Sequence, residues 1–145
     1  MWFLRLKNCI RTVVALLCAL LLFAFAQLLR MGRFADVDGE RTFYLYSSSS
    51  QAAAKESLFI WELFYVQGES VRFACVDREQ TLGEILNKYD AVVCFVESAG
   101  ESISYYCQTA KWKDGVHVNG ALINLHVAFH GDACVVGSPI IFGGF

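Results

Sequence analysis

The sequence predicts an α+β domain behind an N-terminal apolar helix, and three observations support this fold class. Residues 12–29 form a run of 18 positions without a charged side chain, about 27 Å of helix at ~1.5 Å per residue. Later segments alternate apolar and polar residues between turn residues, which is typical of strands. Two intervening stretches combine helix-forming residues with helix caps. The expected order is β-α-β-α-β-β-β-β-β, an antiparallel sheet with two helices on one face.

The apolar run is just long enough to cross a hydrocarbon core of roughly 30 Å. Residues 1–33 carry a net charge of +5 and the remaining residues −7, a bias that favours a cytoplasmic N-terminus. We therefore expect a signal anchor over 1–29, a linker over 30–41 and an extracytoplasmic domain over 42–145. The alternative is secretion after cleavage near Ala26, because Ala24-Phe25-Ala26 has the small-x-small pattern of a cleavage site. Arg30 and Arg33 follow the run and favour retention.

The first half of the domain reads as strand, helix, strand, helix. The segment "TFYLYS" from Thr42 alternates like a strand, and serines 47–50 are good caps for a helix over 51–64. Gly68 is expected to end this element, and residues 70–76 are expected to form the next strand. Asp77 then begins a capping box that opens a helix reaching about Tyr89.

The second half reads as strands joined by turns. We expect 91–97 and 102–109 to pair across a four-residue loop, 98–101, with Val92 opposite Cys107. Asn119-Gly120 is the strongest hairpin pattern in the chain, and it joins "GVHV" to a long strand over 121–130. The segment "PIIF" (139–142) is expected to form a last edge strand.

The hairpin register divides these strands into two faces, because directly opposite residues share a face. One face is entirely apolar and should be core. It carries Val116, Val118, Ala121, Ile123, Leu125, Val127 and Phe129. The other face should be exposed and is our candidate binding surface; it carries His117, Leu122, Asn124, His126, Ala128 and His130. His126 and His130 lie about 13 Å apart along a strand, too far to share a metal ion, so we expect no metal and no cofactor.

The cysteines leave two alternatives open. The four downstream residues Cys75, Cys94, Cys107 and Cys134 could form two disulfides in three connectivities, or remain small buried hydrophobic side chains. The absence of a CxxC sequence excludes zinc-ribbon and thioredoxin-type sites.

The C-terminal stretch "INLHVAFHGDACVVGSPIIFGGF" resembles the end of the YwmB family, exported proteins of spore-forming bacteria. The matching positions are Asn124, Leu125, Val127, Ala128, Gly137, Ser138, Pro139, Ile140, Ile141 and Phe145. Members of that family are longer, and their acidic-aromatic ending is replaced here by Gly143-Gly144. The resemblance implies a curved sheet like that of the TATA-box-binding protein and a link to the cell envelope or sporulation. It supplies no catalytic residues.

These features together predict a membrane-tethered, non-catalytic interaction module with an envelope or membrane protein as its partner. The binding residues expected on the exposed face are His117, Leu122, Asn124, His126 and His130. The negative charge of the domain argues against nucleic acid as a partner. The alternative is a small cell-envelope hydrolase that uses His126 as its general base.

Overall fold

The computed structural model describes residues 2–29, 32–46 and 53–142, and the chain divides into two compact units, Met1–Ala35 and Asp36–Phe145. The first unit is built on helix α1, Trp2–Leu29. Within it, Lys7–Ala26 has a mean hydropathy of 2.5 and is long and apolar enough to cross a membrane. Signal sequences share these properties, so α1 is a candidate membrane anchor or signal sequence.

The second unit is an α+β domain, as predicted. Its described elements are β1 (Glu40–Leu45), β2 (Ala53–Lys55), a 3-10 helix (Ile60–Tyr65), β3 (Val66–Ala74), α2 (Arg78–Tyr89), β4 (Ala91–Ala99), β5 (Ser102–Thr109), β6 (Val116–Val118), β7 (Ala121–Ile123), β8 (Leu125–His130) and β9 (Ala133–Ser138). Seven of the described strands form one sheet in the order β2-β1-β3-β9-β8-β5-β4, and β6 and β7 form a separate pair. Every pairing is antiparallel.

Two local predictions are confirmed because short-range chemistry determines them. Asp77 caps α2, and its carboxylate accepts a hydrogen bond from the Gln80 N–H at 3.0 Å. Asn119 and Gly120 both have positive φ angles, 51° and 80°, as a two-residue hairpin turn of the primed type requires. The hairpin therefore has the expected register, with Val118 opposite Ala121.

The predicted helix over 51–64 is wrong. Residues 47–52 lie outside the described residues, so the serine cap remains a prediction. Beyond them, Ala53–Lys55 pairs with β1, with Ala54 opposite Tyr44, and a 3-10 helix takes the place of the second half. Pairing with a neighbouring strand has overridden the helix propensity of the alanines, since propensity is a weak prior against tertiary contacts.

The predicted strand over 70–76 begins earlier and ends earlier, since β3 spans Val66–Ala74. Gly68 does not break the chain but lies inside β3, opposite Tyr44. A Cβ atom at this position would come within 2.9 Å of a Phe142 ring carbon and 2.7 Å of the Ser138 carbonyl oxygen. Gly68 is thus a close-approach position within a strand rather than a turn.

The predicted register between the strands at 91–97 and 102–109 is also wrong. Both strands extend to a two-residue turn at Gly100-Glu101, with Ala99 opposite Ser102. Gly100 has a φ of 60°, which allows this tight turn. A bulge at Cys94 then places Val93, rather than Val92, opposite Cys107.

The long strand predicted over 121–130 is interrupted at Asn124, which separates β7 from β8. Residues 139–142, predicted as an edge strand, form no strand. They follow β9, which lies inside the sheet between β3 and β8. We call residues 139–142 the C-terminal strap.

The two faces of the sheet are covered by different parts of the chain. Val71, Val136 and Val127 stand in one cross-strand row, on the face against which Ile85 and Tyr89 of α2 pack. The opposite face carries a row across Ser70, Gly137, His126, Tyr106 and Phe95. The C-terminal strap lies on this second face, because a Cβ at Gly137 would meet Ile141 Cγ1 at 2.6 Å.

Candidate functional site

The candidate binding residues do not share one exposed face, and that expectation is wrong. His117 and Leu122 lie opposite each other in the separate β6-β7 pair, where His117 is exposed and Leu122 is half-buried. His130 is exposed at the end of β8. Asn124 and His126 are buried, as is their neighbour Ala128. The expectation of a core face is confirmed at Ile123, Leu125, Val127 and Phe129.

Asn124 acts as a structural connector at the break between β7 and β8. Its side-chain oxygen accepts a hydrogen bond from the Thr109 N–H at 2.7 Å, and its Nδ2 donates to the carbonyl oxygens of Thr109 and Trp112 at 2.9 and 2.8 Å. Its own carbonyl accepts from the Ser138 hydroxyl at 2.7 Å. These bonds leave the Asn124 side chain committed to the end of β5 and the loop after it.

His126 lies in a row of stacked rings that crosses three strands. Its imidazole stacks on Tyr106 with 4.3 Å between ring centroids, and Tyr106 stacks on Phe95 with 4.4 Å. The pairs stand directly opposite one another in the β8-β5 and β5-β4 registers. Burial and a hydrogen bond with Glu97 raise the pKa of Tyr106. We call Phe95, Tyr106 and His126 the stacked row.

The surroundings of His126 hold it neutral. Its Nδ1 accepts a hydrogen bond from the Ile141 N–H at 3.2 Å, so the imidazole proton resides on Nε2. Nε2 is buried and has no hydrogen-bond partner among the described residues. Burial lowers the pKa of His126 to about 4.

This environment does not favour the hydrolase alternative. A general base needs a partner within hydrogen-bond reach and a pKa near the working pH. Within the described part of the chain, neither a carboxylate nor a hydroxyl is hydrogen-bonded to His126. Its Nδ1 accepts from the main chain, whereas an oriented catalytic histidine donates from this atom to a carboxylate or carbonyl.

The C-terminal strap is what covers His126. Ile141 lies over Gly137, which stands opposite His126. The Phe142 ring contacts Tyr44, with 5.3 Å between centroids. An alternating pattern indicates an exposed face only where one face of an antiparallel sheet is solvated, and here the C-terminal strap covers the face that carries His126. Glycines 68 and 137, one on each of the paired strands β3 and β9, are the sequence feature that could have indicated a segment lying on this face.

His130 and Ser102 form the one described histidine–hydroxyl pair, with Ser102 Oγ and His130 Nδ1 at 2.8 Å. The two residues are opposite in the β5-β8 register, at the exposed end of the sheet. No described carboxylate is hydrogen-bonded to His130. The pair stabilises the end of the strand pairing and lacks the third member of a nucleophile–base–orienter set.

The cysteines are free thiols in this structure, which corresponds to the second of the alternatives left open by the sequence. Burial raises the pKa of Cys107 and of Cys134 to about 12, so both remain protonated and unreactive. Cys134 stands opposite Phe129 in the pairing of β8 with β9.

A cavity of about 290 Å³ lies between α2 and the sheet. Phe73, Ile85 and Val136 contribute its apolar wall, and Lys88 forms an ion pair with Asp36 at 2.9 Å on its polar side. The Lys88 hydrogen bond lowers the pKa of Asp36. The side chains of Lys88 and Asp36 are largely solvated, whereas Tyr89, which also lines the cavity, is buried.

No group of three or more metal-ligating side chains occurs among the described residues. No family model, curated protein or solved structure matches this chain. The resemblance to the YwmB family therefore stays a prediction.

Proposed function

We propose that this chain is a membrane-tethered, extracytoplasmic interaction module that binds an extended segment of an envelope or membrane protein along strand β4. Helix α1 is the tether, and the flanking charges direct the domain to the outside. The observation that carries the proposal is the outer edge of β4, a nine-residue strand at the end of the sheet.

Among the described strands, β4 is paired along one edge only. No strand of the described residues pairs with it on the side away from β5. The opposite end of the sheet is different, because β2 has three residues. A nine-residue edge presents a row of main-chain donors and acceptors, and an incoming strand can satisfy them by antiparallel or parallel pairing.

The side chains of β4 favour an apolar incoming strand. Val92 and Val96 are 64% and 49% exposed. The strand contains neither lysine nor proline, the residues that most often protect an edge. The bulge at Cys94 interrupts the register, but Phe95 to Ala99 pair regularly with β5 and offer a continuous stretch to a partner strand.

The site residues expected from the sequence have a smaller part in this proposal. Asn124 and His126 are buried and shape the sheet from within. The stacked row connects His126 to Phe95 of β4 through the ring of Tyr106. The buried histidine therefore contributes to the packing behind β4. Exposed His117 and His130 remain available for contacts at the periphery of a partner.

Photocrosslinking in whole cells tests this proposal. A photoreactive phenylalanine analogue at position 96 should give a discrete crosslinked band. The matched control is position 76, since Val76 is a fully exposed valine outside the strands. Equal bands from positions 76 and 96, or no band from position 96 in a folded chain, would contradict strand addition on β4. Protease shaving of intact cells tests the topology, and a protected domain would contradict it.

A further inference from the structure

A second surface of the domain presents aromatic side chains to solvent at the end of β1 and in the 3-10 helix. Its members are Tyr46, Phe59, Trp61, Phe64 and Tyr65, which are between 60% and 83% exposed. We call them the aromatic patch. Soluble domains rarely expose a contiguous aromatic surface of this kind, and such a surface usually marks an interaction site.

The main chain beneath the patch is well defined by local bonds. The Glu62 carboxylate accepts hydrogen bonds from the Phe59 N–H at 2.9 Å and from Lys55. The Tyr46 N–H donates to the Tyr65 carbonyl at 3.0 Å, which fixes the two ends of the patch to each other. Phe59 and Trp61 stack with 5.0 Å between nearly parallel rings. The rings are therefore held outward by their scaffold.

The chemistry of the patch fits the boundary between lipid headgroups and acyl chains. Tryptophan and tyrosine concentrate there because each ring has an apolar body and a polar atom. The charges beside the patch, Lys55 and Glu62, form an ion pair, so the surface offers no net positive charge to anionic headgroups. Binding should therefore depend on the aromatic rings and vary little with lipid charge.

The proposed anchor of this chain holds the domain close to a membrane. Helix α1 contains the candidate span Lys7–Ala26, and β1 begins at Glu40. A linker between Leu29 and Glu40 extends for at most about 36 Å at ~3.6 Å per residue. This tether holds the domain at a high effective concentration near the bilayer.

We propose that the aromatic patch inserts into the interface of the bilayer that α1 spans, as a second membrane contact of the same chain. The inference rests on the anchor in the proposed function and is independent of strand addition on β4. It assigns Trp61 and Phe64 to the lipid-facing part of the patch.

Tryptophan quenching by brominated lipid tests the inference on the full chain in phosphatidylcholine vesicles. The variant Trp2→Phe/Trp112→Phe retains Trp61 alone, and the matched variant Trp2→Phe/Trp61→Phe retains Trp112 alone. Trp112 is half-buried and packs on Tyr89 at 5.3 Å, so it reports a ring inside the domain. Bromines near the headgroup end should reduce Trp61 emission about twofold, since interfacial rings lie at that depth. They should leave Trp112 emission unchanged.

Two further measurements separate the possible outcomes. Phe64→Glu in the Trp61 chain should reduce the quenching, and adding anionic lipid should leave it unchanged. Vesicle flotation reports the anchor separately. Unquenched Trp61 in a chain that floats would overturn the patch while leaving the anchor intact, and protection of Trp61 by an added envelope protein would assign the patch to that partner instead. A chain that does not float would overturn both.

Discussion

Val127 on β8 and Val96 on β4 lie in one cross-strand row, separated by Tyr105 of β5, yet their surroundings are opposite. Val127 is fully buried, whereas Val96 is 49% exposed. Both residues belong to apolar stretches of similar composition. The difference arises from strand order, because among the described strands β8 has neighbours on both sides and β4 has a neighbour on one side. Burial here depends on the position of the strand in the sheet and not on the local pattern of apolar residues. An interaction surface is therefore expected at β4, where apolar side chains remain exposed.

The largest expected effect concerns the buried side of this comparison, at Asn124. Asn124→Ala removes the partners of the Thr109 N–H and carbonyl, and two buried main-chain groups without partners cost about 4 kcal/mol together. Urea unfolding of the full chain in detergent micelles measures the loss. Asn87→Ala, at an exposed position of α2, is the control and should change stability by less than ~0.5 kcal/mol. Equal effects at the two positions would remove the structural role of Asn124.

The second prediction uses acid to break the buried side. The pKa of His126 falls from 6.5 to about 4 on folding because of burial, so between these values the unfolded chain binds the extra proton. Stability should therefore fall as the pH decreases from 6.5 to 4, by about 3 kcal/mol at ~1.4 kcal/mol per pKa unit. Below pH 4 the loss should level off.

Unfolding midpoints of the wild-type chain and of His126→Phe across this pH range measure the effect. The phenylalanine ring preserves stacking on Tyr106 and has no proton to bind. Its stability should thus lack the histidine component between pH 6.5 and 4. Parallel curves for the two chains would show that His126 does not titrate as its burial requires.

The elements that depend on residues adjacent in sequence were predictable. Those that depend on contacts between distant parts of the chain were not. The Asn119-Gly120 turn dictates its own register, and Asp77 caps α2 from a position next to it in sequence. Ala53–Lys55, by contrast, becomes a strand because β1 is beside it. The burial of His126 depends on Ile141, 15 residues away, and no periodicity within β8 indicates that contact. His126, a residue expected on the exposed face, therefore lies on a face that the chain covers with its own C-terminal strap.

The third prediction concerns steric overlap between position 137 and the C-terminal strap. Gly137→Ala puts a Cβ within 2.6 Å of Ile141 Cγ1, and relief of that overlap should destabilise the domain by about 1–2 kcal/mol. Gly137→Ala/Ile141→Ala removes the colliding atom. The two substitutions should therefore be less harmful together than the sum of their separate effects, and a double-mutant cycle on unfolding midpoints measures this coupling. Additive effects would mean that the strap does not press on Gly137.

The smallest effect on stability is expected at Val96, the exposed end of the cross-strand row that contains Val127. Val96→Lys places an ammonium group where solvent is already present, so unfolding should change by less than ~0.5 kcal/mol. The same substitution at Val127 would place the ammonium group in the core and be strongly destabilising, because that side chain is fully buried. If β4 receives a partner strand, a photoreactive analogue at position 92, which is also exposed on β4, should give a crosslinked band as well. Val96→Lys should abolish this band, since a lysine on an edge discourages pairing. Val76→Lys is the charge-matched control and should preserve the band. Loss of the band without loss of stability would separate binding from folding at this edge, whereas a band that persists in Val96→Lys would place the partner elsewhere on the domain.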